Sequence, residues 1–188
     1  MNKAELRQSM ITYLKKIDKS QKQWIEDKLF QQLIELESWK KSMVVGITIS
    51  QGIEWDTRTI IRRAWNQGKA VCVPKCSPGS GKLCFYRIDT FEQLEKAYAN
   101  LLEPNTNKAK LVVKSQIDLL IVPGVLFNKQ GFRIGFGGGF YDRFLQDFAN
   151  ETISLASEAQ IVGNLPIDPF DIPVQQILTE NGLIREGW

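Results

Sequence analysis

The sequence contains no histidine. That absence removes the side chain that most often serves as a general base near neutral pH, and with it the nucleophilic triads built on an imidazole. It also removes a usual zinc ligand. The three cysteines, Cys72, Cys76 and Cys84, are spaced like no zinc motif. Odd in number, they read as free thiols in a reducing compartment, so a cytoplasmic location is expected. No window approaches about 18 apolar residues, and "MNKAELRQSM" has no apolar signal core, so neither a membrane span nor export is expected. The surplus of positive charge is only +3, far short of the basic stripe of a nucleic-acid binder. Chemistry in this chain must therefore run on carboxylates, cations, main-chain amides or a metal ion.

What is present is ordinary globular material: 188 residues, 43% hydrophobic and 24% charged, without repeat, linker or low-complexity tract. One domain spanning 1–188 is expected. Residues 2–40 show helical spacing, with Leu6, Met10, Tyr13, Leu14 and Ile17 in one stripe and Trp24, Leu29, Leu33 and Leu36 in a second, after Ser20 as N-cap. "SMVVGITIS" is a buried strand. A helix follows, capped by Asp56 or Thr57 and closed by Gly68. "AVCVP" is a strand stopped by Pro74, "LCFYRI" another, and Thr90 caps a short helix "FEQLEKA". "IDLLIVPG", "TISLAS" and a terminal hairpin at Asn181-Gly182 complete the pattern. Alternating strands and helices predict an α/β fold, a three-layer α/β/α arrangement with a mainly parallel sheet and an N-terminal helical pair.

One stretch stands apart: "QGFRIGFGGGFYDRFL", residues 130–145. Four glycines, Gly135, Gly137, Gly138 and Gly139, fall within five positions. Ordering glycine is entropically costly. Here the run leaves the most apolar strand and enters a predicted helix, where free amides and a helix dipole favour an anion, with Arg133 and Arg143 adding charge nearby. The spacing fits neither the dinucleotide fingerprint nor the Walker pattern. On the glycines alone, a flexible turn packed by Phe136, Phe140 and Tyr141 explains the run as well.

The longer block "LLIVPGVLFNKQGFRIGFGGGFYDRFL" resembles the signature of the 5-formyltetrahydrofolate cyclo-ligase family, also called methenyltetrahydrofolate synthetase. "KAELRQSM" resembles its opening helix, "SQGIEWDTRTII" the segment after its first strand, and "LPIDPFDIPVQQILTENG" its closing segment. The resemblance implies an ATP-dependent closure of 5-formyltetrahydrofolate to 5,10-methenyltetrahydrofolate, with magnesium as cofactor and ATP as co-substrate. Its partners are then small molecules, with no nucleic acid and no membrane, and the chain a monomer.

Residue by residue, the resemblance implies that ATP is held by Lys3, Arg7, Arg133, Gly135, Gly137, Gly138, Gly139 and Tyr141. It places the folate against Ile49, Glu54, Phe136, Gly137, Gly138, Gly139 and Phe140. It makes Asp142 and Asp171 the metal ligands, and Arg133 and Asp142 the catalytic pair. Phe136 stands where the family also has tyrosine or arginine and Phe140 where it often has tyrosine, so each removes a polar group, and Phe170 stands where many relatives have histidine. Spacing alone leaves plainer readings open. Lys3 and Arg7 suit a solvated helix face, Asp142 a helix start, and Asp171 a turn between prolines. A sugar-phosphate isomerase and a ligand-sensing module also remain, separated from the first reading by whether ATP with magnesium stabilises the protein.

Overall fold

The computed structural model describes residues 1–97 and 101–185. Its helices are α1 (Lys3–Leu14), α2 (Lys19–Leu33), α3 (Glu37–Lys41), α4 (Arg58–Asn66) and α5 (Phe140–Leu145). Its strands are β1 (Val44–Gly46), β2 (Ala70–Ser77), β3 (Lys82–Ile88), β4 (Leu94–Lys96), β5 (Leu102–Pro104) and β6 (Lys110–Val112). They continue with β7 (Leu119–Ile121), β8 (Leu126–Phe127), β9 (Arg133–Ile134), β10 (Glu151–Leu155), β11 (Gln176–Thr179) and β12 (Gly182–Arg185). Eight of them form one sheet in the order β12-β11-β10-β7-β1-β2-β3-β6. The five from β11 to β2 are parallel; β12, β3 and β6 attach antiparallel at the two edges. The α/β expectation with a mainly parallel sheet and an N-terminal helical pair is met.

The layers are unequal. One face carries α1 to α4: Ile25, Leu29 and Leu33 of α2, Trp39 of α3, and Ile60, Ile61 and Ala64 of α4 pack on Val45, Val71, Leu119, Ile153 and Leu178 of the sheet. The other face is covered thinly, by Phe144 and Leu145 of α5, Phe127 and Val174. A third small cluster sets Leu6 and Met10 of α1 against Leu126 and Ile134 of the β8–β9 ribbon. That cluster fixes the start of α1 beside the segment that follows β9. Among the described residues, no helix is long and apolar enough to cross a membrane.

Several local expectations change. The cap of α2 is Asp18, whose carboxylate accepts from Gln21 N at 2.9 Å; Ser20 instead donates to that same carboxylate. Trp24 is half exposed and Ile25 takes the buried position. Thr57 is the boundary residue of α4, but Asp56 supplies the side-chain cap, accepting from Arg58 N and Thr59 N. Pro74 does not stop its strand: β2 runs to Ser77 and pairs with β3 throughout. The segment after Thr90 is a short 3-10 turn (Phe91–Gln93) followed by β4, because Gln93 caps the turn and Leu94–Lys96 pair with β5. The terminal hairpin forms, with Glu180-Asn181 at its turn and Gly182 already paired to Thr179.

Candidate active site

In open α/β sheets a crevice opens where neighbouring strands send their connections to opposite sides. Here β1 leads to β2 on one side and β7 leads to β10 on the other, so the crevice lies beyond the carboxyl ends of β1 and β7. A cleft of about 450 Å³ occupies that position. The segment after β1 gives it Thr48, Ile49, Gln51 and Glu54; the segment after β7 gives Pro123 and the run Phe136–Asp142. Pro74 and Cys76 of β2, Leu83 of β3 and Leu101–Glu103 make the opposite wall. A narrow recess of about 40 Å³ adjoins it, sharing Thr48, Glu54, Pro123 and Phe136 and closed by Trp55, Ile121 and Leu155.

The glycine segment forms one side of this cleft. Phe136, Gly137 and Gly138 are exposed and Gly135, Gly139 and Phe140 half-buried, so their amides face solvent or a ligand. Among the described residues, no side-chain or main-chain acceptor takes the amides of residues 135–140. Gly137 (φ +104°) and Gly139 (φ +63°) hold conformations that a side chain would strain. α5 has only six residues, Phe140–Leu145, so individual amides rather than a long helix dipole give the segment its positive character.

Of the two α1 cations expected at this segment, Arg7 reaches it, while Lys3 reaches the turn of Asp168 and Asp171. Asn2 caps α1 in a capping box with Glu5, which leaves Lys3 in the first turn, a position the helix dipole disfavours for a cation. Two carboxylates offset that cost: Lys3 Nζ donates to Asp168 at 2.7 Å and to Asp171. Burial pulls the Lys3 ammonium down, but Asp168 and Asp171 together outweigh it and hold its pKa above the ordinary lysine value. One turn on, Arg7 Nε donates to Gly135 O at 2.6 Å. The i, i+4 pair thus shares one face, as the spacing predicts.

Arg133 lies further back than its sequence position suggests. Its side chain is 3% exposed; Nη1 donates to Ile172 O at 2.7 Å and Nη2 to Asp142 Oδ1 at 3.1 Å. Burial lowers its pKa while Asp142 opposes the shift. Asp142 Oδ1 also accepts from Ile172 N, which ties α5 to the turn carrying Asp171. Asp171 Oδ2 in turn accepts from Asp168 N.

The fit of magnesium rests on these donors. No group of three or more His, Cys, Asp or Glu converges among the described residues, so a cage made wholly of protein is excluded there. A magnesium–nucleotide site asks for only one or two carboxylates, with phosphate and water completing the octahedron. Asp142, with Oδ2 unpartnered at the cleft, fits that demand; Asp171 lies outside the cleft lining with Oδ2 taken by Lys3 and the Asp168 amide, which leaves its Oδ1 as the second donor.

On the facing wall, Glu54 Oε2 accepts from Gln51 N at 2.8 Å, and burial pushes the carboxyl above the ordinary glutamate range. Ile49 is buried at its side, whereas the Phe136 ring is 54% exposed over the cleft. The Tyr141 hydroxyl is buried and unpaired, and burial, then Cys76 and Glu54, hold its pKa well above the usual value. Trp55 is packing: it is buried and donates to Gln160. Sequence reading missed Gln51, Cys76, Glu103 and the Leu101–Leu102 wall, which no local motif marks. It also missed Asp168, for which the repeated aspartate in "DPFD" was the available signal.

A profile of the 5-formyltetrahydrofolate cyclo-ligase family matches residues 1–180. The chain is 30% identical over 194 residues to a probable 5-formyltetrahydrofolate cyclo-ligase of Caenorhabditis elegans, across 97% of this chain and 94% of the relative. It is 31% identical over 180 residues to the 5-formyltetrahydrofolate cyclo-ligase of Haemophilus influenzae, across 92% and 96%. The solved structure of Aquifex aeolicus 5,10-methenyltetrahydrofolate synthetase superposes with a TM-score of 0.87 at 28% identity, covering 98% of this chain and 93% of that one. With a match that runs from the first helix through β11, and a cleft at the crossing of its central strands, the chain belongs to the 5-formyltetrahydrofolate cyclo-ligase family.

Proposed function

We propose that this protein converts 5-formyltetrahydrofolate to 5,10-methenyltetrahydrofolate, consuming ATP in the presence of magnesium and releasing ADP and phosphate. The observation that carries the reading is the run of unpaired amides at residues 135–140, with Arg7 holding its first carbonyl, facing a cleft that the half-buried carboxylate of Glu54 also lines.

In this reading the amides of the glycine segment receive the triphosphate, as such concave amide clusters receive anions. Lys3 and Arg7 add charge from α1. Arg133 acts from behind, holding Asp142 in place and keeping the local potential positive. Asp142 and Asp171 would hold magnesium, which would supply charge neutralisation on the triphosphate. Glu54 accepts paired hydrogen bonds from the pterin edge, and Ile49 and Phe136 pack on its faces.

The formyl oxygen attacks the γ-phosphorus and displaces ADP, leaving a phosphorylated imidate carbon. The folate's second bridging nitrogen attacks that carbon and loses its proton; the carbon–oxygen bond breaks and phosphate departs. Positioning and electrostatics suffice for this sequence, and no nucleophilic side chain is required. That suits a chain without histidine. The apolar wall of Ile49, Leu101, Leu102, Phe136 and Phe140 also keeps water from the activated carbon, which water would otherwise hydrolyse back to the formyl compound.

An absorbance assay with 5-formyltetrahydrofolate tests the reading. Methenyl product should accumulate only when ATP and magnesium are both present, with one ADP released per product. Product without ATP, or none with it, would sink the proposal.

A further inference from the structure

Arg143 stands in the sequence as a charge near the glycine segment and nothing more. Its side chain joins the glycine segment to the turn at Gly81, 62 residues before Arg143 in sequence: Nη2 donates to Gly138 O at 2.7 Å, and Nε to Gly81 O at 3.0 Å. The guanidinium lies over the Phe140 ring, 5.2 Å from its centroid. We infer that Arg143 is a positioning residue, which turns the carbonyls of the glycine segment away from an incoming phosphate and uses the β2–β3 turn as its second anchor.

The argument is geometric. In a trans peptide the carbonyl and the next amide point in opposite directions. Holding Gly138 O at Arg143 therefore turns the Gly139 amide away from the guanidinium. Arg7, holding Gly135 O at 2.6 Å, does the same for the Phe136 amide. A carbonyl turned into an anion site repels its ligand; an amide attracts it. Two arginines, arriving from α1 and from α5, thus sort the dipoles of the segment from its two ends.

The pocket around Arg143 is shaped for this. A Cβ at Gly81 would lie 3.1 Å from Nε, and one at Gly139 would lie 2.9 Å from Nη1. Glycine at both positions lets the guanidinium sit between the two main chains. Lysine has no equivalent, because a single ammonium lacks the planar fork that serves two separated carbonyls.

The inference rests on the nucleotide reading above, and calorimetry with the magnesium complex of ADP separates the two. Wild-type protein that shows no binding overturns both. Where wild type binds, Arg143→Ala should bind about tenfold more weakly, equivalent to about 1.4 kcal/mol. The KM for ATP should rise alike, while kcat and the KM for 5-formyltetrahydrofolate stay within about twofold. Arg143→Lys should fail to restore affinity. Guanidinium ion added to Arg143→Ala should recover part of it, and potassium chloride at the same ionic strength should not. Gly81→Ala, on the opposite element, should show a smaller loss of the same kind, and it decides the matter should Arg143→Ala not fold. Wild-type affinity in Arg143→Ala, full recovery by lysine, or equal rises in both KM values would overturn the inference.

Discussion

Two glycine-bearing turns face each other across Arg143. The turn Ser77–Lys82 closes on itself: Ser80 N and Gly81 N both donate to Ser77 O, at 3.1 and 2.8 Å. The segment Gly135–Gly139 does not; its amides find no acceptor among the described residues. Both sequences look alike to a motif search, rich in glycine and next to cations. The first spends its donors on finishing a β-hairpin, and the second holds them in reserve. Composition names a turn; the fate of each N–H tells whether the turn is also a site.

The strongest way to break this comparison is to remove what the open segment is held for. Asp142→Ala should lower turnover by at least about a thousandfold, the several kcal/mol of charge stabilisation expected of a metal ligand, and should also lower the thermal midpoint, because the buried Arg133 guanidinium loses its carboxylate. Near-normal turnover would remove Asp142 from the metal. Next comes an alanine in each turn. Gly137→Ala forces a side chain into φ +104° and should weaken nucleotide binding by about ten- to a hundredfold. Gly79→Ala, with open space at its Cβ, should change affinity and stability by less than about 0.5 kcal/mol. Equal effects would erase the distinction between the turns.

Lys3→Ala should raise the KM for ATP by about tenfold and that for the folate much less, since it frees Asp168 and Asp171 but removes a phosphate partner. The smallest effect concerns stability. Burial raises the Glu54 carboxyl, so the folded chain holds that proton more tightly than the unfolded one. Stability from this group is therefore greatest in acid and falls as pH climbs from the ordinary glutamate range through the raised value. Glu54→Gln should lift the melting temperature at pH 7 by about 2–4 °C for each kcal/mol recovered, and the gain should vanish below about pH 4. Folate affinity should fall in the same variant. A melting gain that persists in acid would show that burial of charge is not its cause.

Sequence legibility followed the range of the interactions. The parallel centre was readable because runs such as "LLIV" are buried on both faces and carry their own signal. Lys3 and Arg7 were readable as a pair through the family resemblance, since their spacing on one helix face fits a solvated surface as well. The partners of those cations were not, since Asp168, Asp171 and Gly135 meet them only through packing of α1 on the β8–β9 ribbon. Arg133 shows the limit most clearly. Its neighbours in sequence suggest a phosphate-gripping cation, and nothing in them marks its burial against Ile172 and Asp142. Pro74 misled in the opposite direction, because a proline rule written for central strands was applied to one that outlives its neighbour.

That mismatch in strand length has a consequence for solubility. β1 ends at Gly46, whereas β2 continues to Ser77, so one margin of β2 projects beyond the parallel partner it started with. A bare margin of this kind is a template on which another chain can pair and aggregate. Pro74 offers no N–H there, and Glu103 takes the N–H of Cys76 at 3.2 Å. The overhang is thereby blunted against foreign strands while remaining open to small ligands, and Pro74, Cys76 and Glu103, which bound the cleft, also guard the molecule from its own copies.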